Sequence, residues 1–230
     1  MEISRRLEAI ANLVPPCNVA ADIGTDHGYV PIELVNSKKC QRAIAMDVNE
    51  GPLERARRNI AAHGLSDYIE TRLSDGLVKL SPGEADAVII AGMGGALTIR
   101  ILEQGQAVTE AVGYFILQPQ SEIIKVRKFL NDRGMSVASE DFVEEDGKYY
   151  PMMLVRHGKE EAYSQVELKY GRQLLLEAHP VLGRYLEHEI RTKEEILLRL
   201  KEASGSRIMK RAEELGEELK EAKEALRVYF

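Results

Sequence analysis

A chain of 230 residues has room for one medium domain and a smaller appendage, with a sizeable buried core. Its apolar share of 44% and charged share of 30% fit a globular protein with helices on its surface, and no apolar run is long enough to cross a bilayer. The formal charge of −6 excludes an overall basic coat for nucleic acid but not a local basic patch.

The N-terminal stretch MEISRRLEAIANLV is amphipathic and has no cleavage pattern, so a cytoplasmic protein without a membrane anchor is expected. Ile3, Leu7, Ile10, Ala11 and Val14 share one helical face, and Pro15 and Pro16 stop that helix. Arg5 and Arg6 lie off the face, and two readings stay open for them: contact with a phosphate backbone, or solvated surface charge. Cys17 and Cys40 stand alone without metal-ligand spacing, which predicts reduced thiols, no disulfide and no metal.

The segment VAADIGTDHGYVPIEL, Val19 to Leu34, organises the rest of the chain. A strand over 18–23 carries Asp22 near its tip and runs into a turn with Gly24 and Gly28, then into a helix. Glycine admits backbone angles closed to other residues, and a helix N-terminus offers unpaired N–H groups to an anionic group. NAD-type sites use this device with three glycines, G-x-G-x-x-G. Here the turn reads DIGTDHG, so the middle glycine is missing and Asp26 would repel a pyrophosphate. It would not repel a cationic centre. An acid followed by a glycine, Asp22 then Gly24, resembles the first motif of Rossmann-like methyltransferases that use S-adenosyl-L-methionine. On this motif alone another α/β turn stays open.

A second strand over 42–46 ends at Asp47, and a helix comes next, until Gly64. Asp47 stands where such folds hydrogen-bond a ribose, or it caps the helix that starts near Pro52. The third strand, 69–73, runs into Ser74-Asp75-Gly76, where Asp75 either accepts from an adenine amine or sets an Asx turn. The fourth, 87–91, is apolar enough to be buried on both faces and ends in Gly92-Met93-Gly94-Gly95, which opens space lined by backbone at the sheet's carboxyl edge. The acid or amide followed by prolines that serves exocyclic amines of bases is absent there, so a different acceptor atom is suggested. A fifth strand over 114–117 ends in Gln118-Pro119-Gln120 and leads to a helix over 123–133. Strands over 136–145 and 148–156 then meet at Asp146-Gly147, a hairpin signal. Parallel βα units closed by one hairpin form the methyltransferase layout rather than the NAD one.

Beyond residue 158 the character changes, with 14 basic against 15 acidic residues, so most of the negative charge sits on the first 158. Ile208, Ala212, Leu215, Leu219, Ala222 and Leu226 form a seam spaced 4, 3, 4, 3, 4. A helix over 181–203 offers Leu182, Leu186, Ile190, Leu197 and Leu200, and Ser204-Gly205-Ser206 separates the two. Two domains are predicted, 1–158 α/β and 159–230 an antiparallel helical coiled-coil hairpin. Pairing of the seams between molecules is the alternative to a monomer.

Taken together, DIGTDHGYVPIEL, AMDVNEGPLERA, RLSDGL, IIAGMGG, ILQPQ and KYYPMMLVR, with Tyr170-Gly171 before LLLEAHPVLGRYL, resemble the TrmK family of bacterial tRNA methyltransferases. The resemblance implies N1-methylation of adenine 22 in tRNA, S-adenosyl-L-methionine as cofactor, a Rossmann-like class I sheet and a coiled-coil domain that helps hold tRNA. It puts Asp22, Gly24, Asp26, His27 and Gly28 around the methionine end of the cofactor, with Thr25 as a further contact. Asp47 and Val48 fall to the ribose, Asp75 and Gly76 to the adenine. Gly92, Met93, Gly94 and Gly95 fall between cofactor and target base.

Adenine N1 carries an in-plane lone pair, so alignment is the main demand. The product is cationic, and a carboxylate at ~4 Å with an effective dielectric of about 20 is worth up to ~4 kcal/mol. Asp26 is the candidate for that role, against the alternative of holding the cofactor ammonium. His27 either contacts the base or braces the turn, and Tyr29 either stacks on a flipped adenine or packs beneath the turn. Arg5, Arg6 and Gly95 complete the substrate candidates. Further basic clusters that tRNA phosphates would use are Lys38, Lys39 and Arg42; Arg55, Arg57 and Arg58; Lys125, Arg127 and Lys128; and Lys210 and Arg211. No membrane and no metal are expected. Competing readings are a methyltransferase for another RNA, a small molecule or a protein, and a cofactor-binding RNA adaptor without catalysis.

Overall fold

The computed structural model describes residues 3–200 and 206–230, so the predicted helix end at Ala203 and the Ser204-Gly205 spacer lie outside the described residues. The chain divides into two compact units, one up to Ala162 and one from Tyr163. In the first unit, α1 (Arg5–Leu13) begins after Ser4, whose side chain accepts from the Leu7 N–H. That extended cap leaves Ile3 outside the helix.

Next come β1 (Cys17–Ile23), α2 (Tyr29–Asn36), β2 (Cys40–Asp47), α3 (Glu50–Ala62), β3 (Ile69–Leu73) and β4 (Ala87–Met93). The unit continues with α4 (Gly95–Gln104), α5 (Gln106–Ala111), β5 (Tyr114–Pro119), α6 (Ile123–Asp132), β6 (Met135–Glu145) and β7 (Lys148–His157). The seven strands form one sheet in the order β3-β2-β1-β4-β5-β7-β6. β1 to β5 are parallel, and β7 runs antiparallel to both β5 and β6. The strand order reverses between β1 and β4, the switch point at which open α/β sheets leave a crevice beyond their carboxyl ends.

Burial of β4 on both faces sets this arrangement. Val88 and Ile90 join one core with Phe115 and Leu117, while Ala87 and Ile89 join the other with Ile10, Leu34 and Ile116. Asp146 and Gly147 take φ of 51° and 71°, the left-handed pair of a tight hairpin turn.

Two basic residues expected at the surface are structural instead. Arg127 and Glu140 pair at 2.7 Å between α6 and β6, each side chain 1% exposed, so Arg127 cannot meet a tRNA phosphate. Lys39 donates through Nζ to the carbonyls of Ala11, Asn12 and Val14, satisfying the end of α1. Burial lowers its pKa. Cys17 and Cys40 are free thiols that face each other across β1 and β2.

The second unit contains α7 (Gln165–Tyr170), α8 (Arg172–Leu176), α9 (Pro180–Leu200) and α10 (Ser206–Tyr229). Ser164 and Glu167 close a capping box at the start of α7. α9 and α10 lie antiparallel, since Gly183 meets Phe230 near one end while Lys193 bonds Glu218 farther along. Leu182 and Leu186 of α9, and Leu215, Ala222 and Ala225 of α10, are buried. Ile208, Ala212, Leu219 and Leu226 of the predicted seam are half-buried. No helix among the described residues is long and apolar enough to cross a membrane, and no cluster of metal-ligating side chains occurs among them.

Candidate active site

The turn after β1 is tied to the neighbouring strand, because the N–H groups of Gly24 and Thr25 both donate to the Met46 carbonyl, at 2.8 and 2.9 Å. Gly24 has φ of 80°, and a Cβ there would lie 2.1 Å from Met93 Cε. The left-handed backbone demands glycine, while the terminal methyl of Met93 could swing aside from a Cβ. α3 braces the same turn through Asn59, whose amide donates to the His27 carbonyl at 2.9 Å.

The turn forms one side of a cavity of about 380 Å³, lined by Asp22, residues 24–30, Gly92, Gln120 and Arg6 among others. Asp22 is buried, and burial pushes its carboxyl up to about 6. The Thr25 hydroxyl draws the value part of the way back, although its buried Oγ1 has no partner within hydrogen-bond geometry. The charge of Asp47 adds to the rise. Asp26 is exposed and ion-paired with Arg55, and its other oxygen lies 3.4 Å from His27 Nε2. The His27 ring stacks on Tyr29 with centroids 5.1 Å apart and planes 9° apart.

Asp22, Gly24, Thr25, Asp26, His27, Gly28, Tyr29, Gly92 and Arg6 are thus brought together around one cavity. Asp47 and Val48 stand at the tip of β2, and Asp75 and Gly76 just beyond β3, so they line the same edge of the sheet outside that cavity. Asp47 accepts from the Asn49 N–H at 2.7 Å in a local turn and does not cap α3, where Asn49 is the cap residue. Met93 packs on Gly24, and Gly94 is the residue before α4.

One substrate candidate needs correction. Gly95 is buried, its N–H donates to Ser121, and a Cβ there would come within 2.5 Å of the Ser121 carbonyl. Close packing explains that glycine. Arg5 is exposed outside the cavity, so both of its readings, phosphate contact and solvated charge, stay open.

Four participants have no individual role legible in the sequence. Arg55, one member of a basic cluster there, forms an exposed ion pair with Asp26. Gln120 lines the cavity. Gln118 is fully buried, and its Oε1 accepts from Arg6 Nη1 at 3.0 Å and from the Gly92 N–H at 3.2 Å. Gly92, with φ of 78°, sits where β4 shifts register against β5, so its N–H takes a side-chain acceptor in place of a ladder partner. Gln118 Nε2 is left buried without a partner, a cost of about 1–3 kcal/mol. Tyr150 supports Arg6, whose Cζ lies 5.4 Å from the ring centre. The only local signal for the glutamines is the polar ILQPQ end of an apolar strand.

A parallel sheet closed by an antiparallel hairpin, with a glycine turn after its first strand and acids at three adjacent strand ends, defines a Rossmann-like methyltransferase. The sequence matches the methyltransferase domain family over residues 3–153. It is 38% identical over 172 residues to the tRNA (adenine(22)-N(1))-methyltransferase of Bacillus subtilis, covering 74% of this chain and 72% of that protein. The crystal structure of the B. subtilis m1A22 tRNA methyltransferase TrmK superposes with a TM-score of 0.84 at 31% identity, covering 98% of this chain and 99% of that one. Sp1610 of Streptococcus pneumoniae, solved in complex with S-adenosyl-L-methionine, superposes at 0.87 with 34% identity, covering 98% and 100%. The chain belongs to the TrmK family of tRNA (adenine(22)-N(1))-methyltransferases.

Proposed function

We propose that the chain transfers a methyl group from S-adenosyl-L-methionine to N1 of adenine 22 in tRNA, acting in the cytoplasm as a monomer. The observation that carries this reading is the cavity at the β1–β4 switch point in a chain matched to TrmK structures over almost its whole length. The residues fit the cofactor. Asp22 is a buried acid with its pKa held up and an unpartnered hydroxyl beside it, which suits a ligand carrying a cationic ammonium and further polar groups. When bound, S-adenosyl-L-methionine supplies the methyl group activated on a sulfonium.

Asp22, Gly24, Thr25 and Gly28 would hold the amino-acid end, Asp47 and Val48 the ribose, and Asp75 with Gly76 the adenine. Gly92, Met93 and Gly94 would shape the passage between cofactor and target. The lone pair of adenine N1 needs no base to release it, so these groups act by alignment and exclusion of water. Asp26 would favour the cationic product, sharing its charge with Arg55 and His27. The stacked pair of His27 and Tyr29 offers a flat wall to an extruded base. The first unit would carry catalysis and the helical unit would hold the tRNA.

Incubation of the purified chain with labelled cofactor and unmodified tRNA, followed by digestion to nucleosides, tests the reading. Label in N1-methyladenosine that disappears when adenine 22 is replaced is the expected result. Cofactor binding without label in that nucleoside would overturn it.

A further inference from the structure

Arg6 reaches the cavity from α1, a helix outside the glycine turn and the strand tips, and its environment differs from that of most engaged arginines. Arg55, Arg57, Arg72, Arg127, Arg133 and Arg172 each pair with a carboxylate. Arg6 instead donates to the neutral amide of Gln118 and lies over the Tyr150 ring, with no carboxylate partner among the described residues. A half-buried guanidinium held by neutral groups keeps its full charge for a ligand.

The way it is held is specific. Gln118 Oε1 receives two donors, Arg6 Nη1 and the Gly92 N–H, so turning the amide over would set its NH2 against both. The amide therefore has one orientation, and it keeps that orientation although Nε2 goes unpaired. It links α1 to the register shift of β4 at the cavity edge. Tyr150, from β7, limits the guanidinium on its face.

We infer that Gln118 is a positioning residue which, with Tyr150, fixes Arg6 as the group of the cavity that binds an oxyanion, either a carboxylate or a phosphate. The inference rests on the methyltransferase reading, which supplies two sources of that chemistry: the carboxylate of the cofactor and a phosphate next to the target nucleotide. The acids of the cavity, Asp22 and Asp26, suit positive charge, so Arg6 complements them.

The full-length chain and its variants Arg6→Met, Gln118→Met, Tyr150→Leu and the double variant Arg6→Met/Gln118→Met are compared. Affinities for S-adenosyl-L-methionine and for its decarboxylated analogue are measured by calorimetry, and KM for tRNA at saturating cofactor. If the oxyanion is the cofactor carboxylate, Arg6→Met weakens binding of S-adenosyl-L-methionine by about tenfold or more and leaves the decarboxylated analogue unchanged. If it is a phosphate, cofactor affinity is unchanged and KM for tRNA rises by a similar factor. Either result supports the inference when Gln118→Met shifts the same quantity, more weakly, and the double variant loses no more than Arg6→Met alone. A Gln118 effect that adds fully to that of Arg6, or an Arg6→Met variant with all three quantities within twofold of wild type, overturns it. Should Gln118→Met fail to fold, Tyr150→Leu supplies the second arm under the same non-additivity criterion. A wild-type chain that binds the cofactor but does not modify tRNA overturns the functional reading, and the two cofactor affinities then decide the inference. A wild-type chain that binds neither overturns both.

Discussion

β4 and α10 hold their neighbours in different ways. Four successive residues of β4, Ala87 to Ile90, are fully buried, whereas the 24 residues of α10 include three that are buried, Leu215, Ala222 and Ala225. α10 covers much of its remaining contact with ion pairs: Lys193 bridges Glu189 and Glu218, Lys223 meets Glu194, and Lys169 meets Glu221. Dry packing admits few alternatives and responds little to salt, while a half-exposed pair such as Lys223–Glu194 is screened and individually weak. The cavity, which must align reacting atoms closely, is built on the first kind of element.

The largest expected effect comes from disturbing the buried scaffold beside the cavity. Gly24→Ala would force alanine into a left-handed backbone angle it resists and shift the turn that lines the cavity, and methyl transfer should fall on the order of a hundredfold or more. Initial rates near those of wild type would show that the turn yields, and that the scaffold is less rigid than its burial implies. Next, Glu140→Ala removes the carboxylate paired with a buried guanidinium and should cost about 3–5 kcal/mol in denaturant unfolding. Replacing Arg127 and Glu140 together by methionine should recover most of that loss.

Acidity separates binding from stability at Asp22. Its pKa is raised from 3.8 to about 6 by burial, so the folded state without cofactor holds the proton more tightly than the unfolded chain. That contribution favours the folded state at low pH and is lost as pH rises from about 4 through 6. Cofactor binding should run the other way, because a cationic ligand needs the carboxylate. Affinity should fall by up to about tenfold per pH unit below about 6, and Asp22→Asn should flatten the profile in titrations.

The smallest effects belong to the helix pair. Lys223→Met, at a pair half-exposed on both sides, should cost about 1 kcal/mol or less and speed hydrogen exchange in α10, as should 1 M salt, with β4 unaffected. Lys193 holds the Glu218 carboxyl below its usual value of 4.5. That stabilisation is present above about pH 4.5 and is lost as pH falls through the lowered value. Equal acceleration in β4 would contradict the difference between dry packing and screened pairs.

Much of the architecture is legible because its signals are local. An apolar run spanning 87–91, the Asp146-Gly147 turn and the 4-3-4-3 seam of α10 each declare themselves within one element. Strand ends are less so: β4 continues to Met93 and β5 to Pro119, since ladder hydrogen bonding outlasts the apolar run. The helices α4 and α5 are not among the elements expected from the sequence, although Gly105 marks the break between them. At the site, the acids at the strand ends and the glycine turn are visible as residue types in order. Their partners are not, as Arg127, Lys39 and Arg55 show: each looks like free basic charge and each is engaged.

By itself the sequence determined the strands, most of the longer helices, the order of the βα units and the acid-glycine chemistry at their ends, because periodicity and turn chemistry act between near neighbours. Only the tertiary structure decided that Arg6 meets Gln118, 112 residues away, that Met93 closes over Gly24, and that Asp26 is shared with Arg55. Those pairings depend on which strand lies beside which and where β4 shifts register, and side chains so far apart in the chain meet only after the sheet has assembled.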